Sequence, residues 1–375
     1  MEQAKVYWSD LRCRPGKNLL DKLTRLMKAA GMEQIDFEKK FVAIKMHFGE
    51  PGNLAFLRPN YAKAVADLVK ELGGVPFLTD CNTLYPGRRK NALEHLDGAY
   101  ENGFSPMSTG CQIIIADGLR GNDDVEVPVA GATHIQTAKI GKAVMEADIV
   151  ISLSHFKGHE QTGFGGAIKN LGMGCGSRRG KMEQHAQGKP VVSVRRCVGC
   201  GKCAAQCAHG AISYGPDRKA SIDQDKCVGC GRCIAVCNVD AIHAGQDNAM
   251  EELSCRMAEY AKAVVDGRPH FHISLVIDVS PYCDCHGEND LPILPDVGMF
   301  ASFDPVALDQ ACVDACLRQQ PIPGSALDDQ MHESGFCDHH DHFINSMPNT
   351  DWKVCLAHCE EIGVGTRSYE LIQVK

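Results

Sequence analysis

The sequence predicts an α/β fold with a mostly parallel sheet and flanking helices, interrupted by a small cysteine-dense domain. Two observations predict the sheet: short apolar runs of strand type recur along the chain, and segments of helical periodicity separate them, as in βαβ units. A third observation predicts the interruption, because cysteines and turn residues crowd the stretch from Pro190 to Gly245.

The elements before this stretch follow from apolar spacing and turn residues. Short continuous apolar runs predict strands, whereas apolar residues that recur every three or four positions predict helices. A glycine pair such as Gly73-Gly74 marks a helix end. The expected strands are Phe41–Phe48, Val75–Thr79, Gln112–Ala116 and Asp148–Leu153, and the expected helices are Pro59–Leu72, Arg89–Tyr100 and Ala138–Ala147.

The chain after the cysteine-dense stretch returns to the same alternation, and it has no obvious separate core. We therefore expect one α/β domain, formed by residues 1–189 and 246–375, with residues 190–245 inserted into it. A surface loop accepts an insert when the inserted ends lie close together. Three consecutive domains are the alternative that periodicity leaves open. The later elements are expected at Met250–Asp266 (helix), His270–Val279 and Val297–Ser302 (strands), and Pro305–Arg318 (helix).

Composition excludes several classes of protein. The 375 residues suffice to bury a core without disulfides. A net charge of −8 and an aromatic content of 6% argue against nucleic acid as a partner. Twenty cysteines in a chain of this size indicate metal chemistry in a reducing compartment, and so many thiols suit life at low oxygen.

Several motifs are absent from the sequence. The N-terminus lacks a signal-peptide pattern, and no uncharged apolar run reaches the roughly 18 residues that a membrane span needs, so we expect a cytoplasmic location without a membrane partner. There is no G-x-x-x-x-G-K-[ST] loop, no G-x-S-x-G elbow and no G-x-G-x-x-G after the first strand. ATP-driven, hydrolytic and nicotinamide chemistry are therefore not indicated.

The cysteine-dense stretch contains the motif C-x2-C-x2-C-x3-C twice. The two copies, Cys197–Ile212 and Cys227–Ile242, share ten identities over sixteen positions, which indicates an internal duplication. In this spacing, three close cysteines bind one iron–sulfur cubane and the fourth binds the other. The expected ligand sets are Cys197, Cys200, Cys203 and Cys237 for one cluster, and Cys227, Cys230, Cys233 and Cys207 for the other.

This pattern resembles the bacterial two-cluster ferredoxins. The resemblance implies two [4Fe-4S] clusters of low potential in a small ferredoxin-like (α+β) domain that transfers single electrons. Ferredoxins usually place a proline after the fourth cysteine, whereas this chain has Ala208 and Asn238. That change affects rigidity or solvent access and leaves the ligand set intact. Two zinc sites are the alternative, since C-x-x-C pairs also bind zinc.

A glycine-rich segment, Ser154–Gly176, is the strongest candidate for a ligand pocket. It follows the strand Asp148–Leu153 and so lies where open α/β sheets bind ligands. Its glycines are expected to bring backbone amides to an anion at the start of a helix. A glycine-rich connection with solvated basic side chains is the alternative. The expected anion-binding residues are Gly163, Gly165, Gly166 and Asn170, and the catalytic candidates are His155, Lys157, His159 and Lys169.

Two other strand ends carry candidates. Lys45 and His47 alternate at the end of the first strong strand, and we expect them to bind substrate or donate protons. Cys283, Cys285 and His286 offer two thiolates and an imidazole within four residues, so they are candidates for an additional metal site or a redox thiol. A cysteine pair with neither role is the alternative. A fourth ligand would come from elsewhere, such as Cys81 or Cys175.

The other polar segments have simpler interpretations. Asp304 is expected to cap the helix that Pro305 begins. The basic loop Gly176–Lys181 is expected to be solvated, with the steering of an acidic redox partner or an anionic substrate as the alternative. Cys337–His342 is also expected to form a solvated loop. Further polar residues near strand ends are Glu50, Asp80, Arg88 and Arg89.

Outside the insert, the chain resembles the conserved domain of unknown function numbered 362. The resemblance implies the fold and an association with ferredoxin modules, and it says little about the reaction. The loop and helix from His159 to Lys169 are also similar to the N-terminal domain of nickel-pincer lactate racemases. The segments that carry the family resemblance are Ile44–Glu50, Thr79–Arg89, Ser154–Gly174 and Cys283–Asp309.

These features lead to three hypotheses about function. In the first, the clusters feed electrons to, or draw them from, a ligand pocket in the α/β domain, and the protein is an iron–sulfur oxidoreductase. In the second, the chain is an electron carrier or redox subunit that docks a partner enzyme without turnover of its own. In the third, the clusters are structural and the α/β domain binds anions or assists cofactor assembly. The expected partners are a redox protein or a small anionic substrate.

Overall fold

A computed structural model describes residues 3–84, 87–186, 189–207, 209–227, 232–239, 241–244, 250–333 and 340–375. Within these ranges, eight strands form one sheet. The strand Gly298–Ser302 runs antiparallel to both of its neighbours and the other pairings in this sheet are parallel, so the predicted mostly parallel α/β fold is confirmed. In spatial order the strands are β16 (Tyr369–Gln373), β1 (Ala4–Ser9), β15 (Gly298–Ser302), β14 (His270–Val276), β7 (Ile149–His155), β2 (Phe41–Lys45), β3 (Val75–Asp80) and β4 (Gln112–Ile115).

Helices cover both faces of this sheet. Successive side chains of β2 enter different apolar cores, because side chains alternate between the faces of a strand. Ala43 belongs to one core, and Val42 and Ile44 belong to the other. The helices are α1 (Leu19–Ala29), α2 (Pro59–Glu71), α3 (Ala92–Glu101), α4 (Pro106–Thr109), α5 (Lys142–Glu146), α6 (Ala167–Cys175), α7 (Arg178–Ala186), α10 (Met250–Val265), α11 (Pro305–Leu317), α12 (Ala326–Glu333), α13 (His342–Ser346) and α14 (Trp352–Glu361).

Asp304 caps α11 as predicted. Its Oδ1 atom accepts hydrogen bonds from the amides of Val306 and Ala307, each at 2.9 Å, and Pro305 occupies the first helical position. No helix in the described ranges combines the length and the apolar character that a membrane span requires.

The structure corrects the prediction for residues 138–147. They do not form one helix, because Thr137–Gly141 is a strand, β6, that pairs with β5 (Asp124–Pro128). The helix α5 begins only at Lys142. Burial alternates at the start of β6, which is the period of a strand, and the apolar residues of α5 directly after it suggested a longer helix.

The described part of the cysteine-dense stretch contains two antiparallel strand pairs and two short helices. Its outer pair joins β10 (Pro190–Val192) to β13 (Ile242–Ala244), with Pro190 opposite Ala244. The chain therefore reaches and leaves this unit on neighbouring strands. The other elements are α8 (Lys202–Gln206), β11 (Ile212–Tyr214), β12 (Ala220–Ile222) and α9 (Arg232–Ala235).

Candidate functional site

A cavity of about 890 Å³ opens at the carboxyl ends of β2, β3 and β7. β2 and β7 are neighbours in the sheet. β3 lies on the far side of β2, and β14 lies on the far side of β7. The connections after β2 and β7 therefore diverge and leave a crevice, as open α/β sheets do at such a switch point. The predicted residues that line it are Lys45, His47, His155, Lys157, His159, Gly165, Gly166, Lys169, Asn170, Cys283 and Cys285.

Lys45 ends β2 and joins it to β3 by a buried ion pair. Its Nζ atom lies 3.1 Å from Asp80 Oδ1 and donates a 2.8 Å hydrogen bond to Asn170 Oδ1. Burial alone would raise the pKa of Asp80, but Lys45 and His95 hold that pKa well below its ordinary value. Asn170 is therefore a positioning residue for Lys45 and not a free anion donor.

His47 offers a neutral N–H group in the cavity wall. Its Nδ1 atom accepts a 2.9 Å hydrogen bond from the amide of Gly49, so the ring proton resides on Nε2. Burial, with help from Arg89, holds the pKa of His47 well below its ordinary value. Nε2 is shielded from solvent and has no hydrogen-bond partner among the described residues. His47 is thus suited to donate a hydrogen bond to a bound ligand.

Asp284 holds two of the predicted basic residues. Its carboxylate lies 3.0 Å from Lys157 Nζ and 2.9 Å from His155 Nδ1, while His155 Nε2 contacts the carbonyl of Ile277 at 2.7 Å. Burial opposes ionisation of Asp284, but His155 and Lys157 more than offset it and lower its pKa. Because both nitrogens of His155 are engaged, this ring is a structural element of the wall. Its role as a catalytic candidate stays a prediction.

A short hairpin after β7 brings Lys157 and His159 to the cavity. It consists of β8 (Lys157–His159) and β9 (Gly163–Gly165). A Cβ atom on Gly158 would lie 2.4 Å from the carbonyl oxygen of Pro281, so this close approach requires glycine. His159 is fixed by the amides of Gln161 and Thr162, which donate to its Nδ1 atom.

The glycine loop does not offer the anion cradle that the sequence predicts. The first two amides of α6, those of Ala167 and Ile168, donate to the carboxylate of Asp309 at 2.7 and 2.9 Å. An internal carboxylate therefore takes the place expected for an external anion. Gly163 adopts φ of +75° and approaches Trp352, away from the residues that line the cavity.

Cys283 and Lys169 form a charged pair in the cavity wall. Lys169 Nζ lies 3.2 Å from Cys283 Sγ. A hydrogen bond from Cys285, together with Lys169 and His159, lowers the pKa of Cys283 well below its ordinary value despite burial. Hydrogen bonding to Cys283 and burial raise the pKa of Cys285 correspondingly. Of these two thiols, Cys283 is therefore the one that ionises more readily.

Cys285 and His286 meet an acidic residue that sequence reasoning missed. One ligand atom each of Glu160, Cys285 and His286 lies within 4.8 Å of the others, and His286 Nε2 contacts Glu160 Oε1 at 3.1 Å. Cys81 and Cys175 do not join this group in the described chain, since Cys81 Sγ donates instead to the carbonyl of Cys175 at 3.3 Å. Only the position of Glu160 directly after His159 hinted at its role.

Four cysteines from the two duplicated motifs line one cavity of about 320 Å³. They are Cys197, Cys200, Cys203 and Cys237, the set predicted from the spacing. The amides of Ala220 and Ala241 donate to Cys197 Sγ and Cys237 Sγ at 3.3 and 3.2 Å. Of the second predicted set, Cys230 lies outside the described residues, and Cys207 Sγ accepts a 3.3 Å hydrogen bond from the amide of Ala211. The remaining two members are Cys227 and Cys233.

The cysteine-dense unit rests on the wall of the large cavity. Leu84 lines that cavity and also belongs to the buried apolar cluster that contains Cys197 and Cys237. Met182 of α7 joins the same cluster, and Lys90 Nζ donates a 3.2 Å hydrogen bond to the carbonyl of Cys237. Leu84 and Met182 therefore pack in the same buried cluster as three of the four thiols, those of Cys197, Cys203 and Cys237.

Two segments interpreted as solvated are instead buried. Arg178 in the basic loop is fully buried and donates to the carbonyl of Thr83, and Lys181 lines the large cavity. At the other segment, Cys337 lies outside the described residues, but His342 is buried against the carbonyl of Gln319 at 2.9 Å. The expectation is wrong for the basic loop and for Asp341 and His342, which tertiary contacts cover, whereas His340 is exposed as expected.

Three known proteins are similar to this chain. A thylakoid-associated protein from Synechocystis sp. is 30% identical over 125 residues, which cover 33% of this chain and 35% of the relative. The solved lactate racemase apoprotein from Thermoanaerobacterium thermosaccharolyticum is 13% identical, with a TM-score of 0.37, over 84% of this chain and 58% of its own. A protein from Thermotoga maritima is 11% identical, with a TM-score of 0.34, over 68% and 49%.

The chain therefore spans about a third of its curated relative and about half of these solved structures. Residues 42–314 match the family described as Domain of unknown function (DUF362). That match takes in every strand from β2 to β15 and the whole large cavity. The chain belongs to the DUF362 family.

Proposed function

We propose that this protein is an iron–sulfur oxidoreductase with two [4Fe-4S] clusters, which exchanges electrons with a ligand held at the ends of β2, β3 and β7. One observation carries the proposal: Leu84 is common to the wall of the ligand cavity and to the apolar cluster around Cys197 and Cys237. A [4Fe-4S] cluster supplies or accepts one electron at a time. The residues of the cavity bind the ligand and deliver protons to it.

The donor set fits the proposed clusters. Cys197, Cys200, Cys203 and Cys237 come from both motif copies and line one cavity, as the shared ligation of a two-cluster domain requires. Backbone amides donate to the sulfurs, and such hydrogen bonds are one of the means by which proteins tune cluster potentials. The adjacent strands β10 and β13 also favour residues 190–245 as an insert in an α/β domain of residues 1–189 and 246–375.

The cavity favours a small anion as ligand. Lys169 lies beside Cys283, and the Lys181 ammonium donates to the carbonyl oxygen of Gly176 in the cavity wall. His47 adds a neutral donor whose Nε2 atom is unpaired among the described residues. Such groups recognise carboxylates or phosphates and can protonate a reduced product. The substrate proposed here is therefore a small anion.

A redox partner protein is proposed to exchange electrons at the outer side of the cysteine unit. Val198 is 63% exposed beside Cys197, and Val239 is 38% exposed beside Cys237. Arg195 and Arg196 are exposed next to the same cysteines. An apolar patch with a basic rim fits an acidic redox protein. The same surface would serve a carrier without turnover, so the experiments below separate the two functions.

We also propose that Glu160, Cys285 and His286 hold an additional metal ion beside the ligand. A thiolate, an imidazole and a carboxylate suit a transition metal such as zinc or iron. Cys283 is two residues from Cys285 and would contribute either as a fourth ligand or as the redox thiol. Metal analysis that finds only cluster iron, with no change in Cys285→Ser, would contradict this site.

Cluster content is tested by anaerobic purification with iron and sulfide analysis and electron paramagnetic resonance of the reduced protein. We expect about eight irons in the parent, two cubanes of four each. Cys237→Ser should lose about half of the iron, while Cys13→Ser, at an exposed cysteine outside the unit, should keep it all. A colourless protein that carries zinc in place of iron would overturn the proposal.

Communication with the cavity is tested by adding phosphate, acetate or pyruvate to the reduced protein and recording the resonance signal and midpoint potentials. An anion that binds beside the cysteine-dense unit should shift the signal and the potentials in the parent. The same shift is expected in Lys63→Met, a control at an exposed lysine, and no shift is expected in Lys169→Met. No shift with any anion in the parent would favour the carrier function. An equal shift in all three proteins would exclude Lys169 from the ligand site.

A further inference from the structure

A second group of metal-ligand side chains lies outside the cavity, where α10 packs against α14. His134, Cys255 and His358 each offer one ligand atom, and these atoms lie within 4.8 Å of one another. Cys255 belongs to α10, His358 belongs to α14, and His134 lies in the loop that joins β5 to β6. Three distant parts of the chain therefore converge on one point, which the spacing of these residues in the sequence does not predict.

The carboxylate of Glu259 organises this point. Glu259 is fully buried, and it accepts hydrogen bonds from the amides of Thr133, His134 and Ile135 at 2.7–3.0 Å. Its Oε1 atom also lies 3.1 Å from His358 Nε2. One buried side chain thus fixes both the loop that carries His134 and the ring of His358. A carboxylate behind a histidine in this way is the usual support of a metal-binding imidazole.

The donor atoms and the surrounding charge fit a cation. When His358 donates its Nε2 proton to Glu259, Nδ1 keeps the lone pair that a metal requires. Glu361 Oε2 lies 3.4 Å from that Nδ1 atom, and its side chain is 75% exposed, so it can turn aside or add an oxygen ligand. Burial, with help from Cys355, Glu259, Glu251 and Glu361, raises the pKa of the Cys255 thiol to about 11. Acidic groups therefore lie near the thiol and the His358 imidazole, where they favour a bound cation.

We propose that His134, Cys255 and His358 bind a zinc-type divalent cation, with water or Glu361 in the fourth position. One thiolate and two imidazoles favour zinc over magnesium or calcium, which prefer oxygen ligands. Zinc bonds of about 2.0–2.3 Å need the donors somewhat closer together, which a rotation of the exposed His134 side chain would provide. Binding replaces the thiol proton of Cys255, which leaves to solvent. The ion would tie the β5–β6 loop to α10 and α14, and the site does not depend on the proposed function.

The test measures zinc in the full-length protein, purified anaerobically with its native metals, equilibrated with micromolar zinc and desalted. The variants are His134→Gln and Cys255→Ser. His332→Gln is the matched control, since its side chain is 76% exposed on α12. His134 is also exposed, so its replacement leaves the core intact. We expect the parent and the control to hold one more zinc ion per chain than either variant.

Thermal unfolding gives a second measurement. Zinc should raise the melting temperature of the parent and of His332→Gln, because a ligand that binds only the folded state stabilises it. Chelation with EDTA should reverse the increase, and the increase should be smaller in His134→Gln than in the parent. The proposal is overturned if both variants retain as much zinc as the parent. It is equally overturned if zinc leaves the melting temperature of the parent unchanged.

Discussion

Replacing Asp80 by asparagine tests whether the ion pair between β2 and β3 supports the ligand cavity. The variant keeps the shape of the side chain and removes the charge that faces Lys45 at 3.1 Å, where both side chains are at most 3% exposed. With an effective dielectric constant of about 20, attraction at that separation is about 5 kcal/mol. Breaking a buried pair costs about 3–5 kcal/mol, because the other charge is left uncompensated. We expect the free energy of unfolding to fall by about that amount.

Urea unfolding followed by circular dichroism at pH 7 measures this loss. Asp67→Asn is the matched control, because it makes the same change in an exposed pair, where Lys63 lies 2.6 Å away. Exposed pairs contribute about 1 kcal/mol or less, so the control should barely change. The double variant Lys45→Met/Asp80→Asn removes both buried charges and should recover much of the loss.

The effect also depends on pH. The pKa of Asp80 is lower in the folded protein than the ordinary 3.8, so its stabilising contribution is present above about pH 3.8 and is lost as the pH falls below that value. The difference between the parent and Asp80→Asn should therefore be larger at pH 7 than at pH 3. A deficit no larger than that of Asp67→Asn, or a double variant as unstable as the single one, would refute the reasoning.

Three further changes test other contacts. Asp309→Ala should lower the free energy of unfolding by about 1–3 kcal/mol, because two buried amides at the start of α6 lose their acceptor; urea unfolding at the level of the parent would contradict this. Gly158→Ala should cost about 1–3 kcal/mol in the same assay, since its Cβ atom would lie 2.4 Å from the Pro281 oxygen. Tyr214→Phe removes a hydroxyl 3.4 Å from Cys203 Sγ. The midpoint potential of the adjacent cluster should fall by about 20–60 mV in a redox titration, because that hydrogen bond stabilises the more negative reduced state; an unchanged potential would exclude the contact.

Local sequence patterns predicted the central strands of the sheet. They did not predict the edge strands that pair with strands distant in the sequence. β7 is buried along its whole length, so a continuous apolar run identifies it. β1 and β16 were missed because each has mixed burial and pairs with a strand from the opposite end of the chain. β6 was missed because its alternating burial runs directly into the short helix α5.

In the candidate site, too, residues of local motifs were predicted and their partners from distant segments were not. Lys45 and Lys169 were predicted because both belong to motifs at strand ends or helix starts, which a single segment reveals. Their acidic and thiol partners come from other segments: Asp80 from β3 and Cys283 from the loop after β14. Asp309 accepts hydrogen bonds from amides of α6 that lie more than a hundred residues away in the sequence. No local pattern could therefore show that its carboxylate occupies the position expected for a bound anion.

The charges in the cavity indicate how electron transfer and ligand binding would be coupled. Asp80 compensates Lys45 and Asp284 compensates Lys157, and both acids stay ionised because their pKa values are lowered. Lys169 differs, because its partner is the thiolate of Cys283. Protonation, oxidation or metal ligation removes or shares that negative charge and leaves the ammonium group free to attract an anion. Cys283 is therefore the point at which a change of redox or protonation state would alter the affinity of the cavity for an anionic ligand.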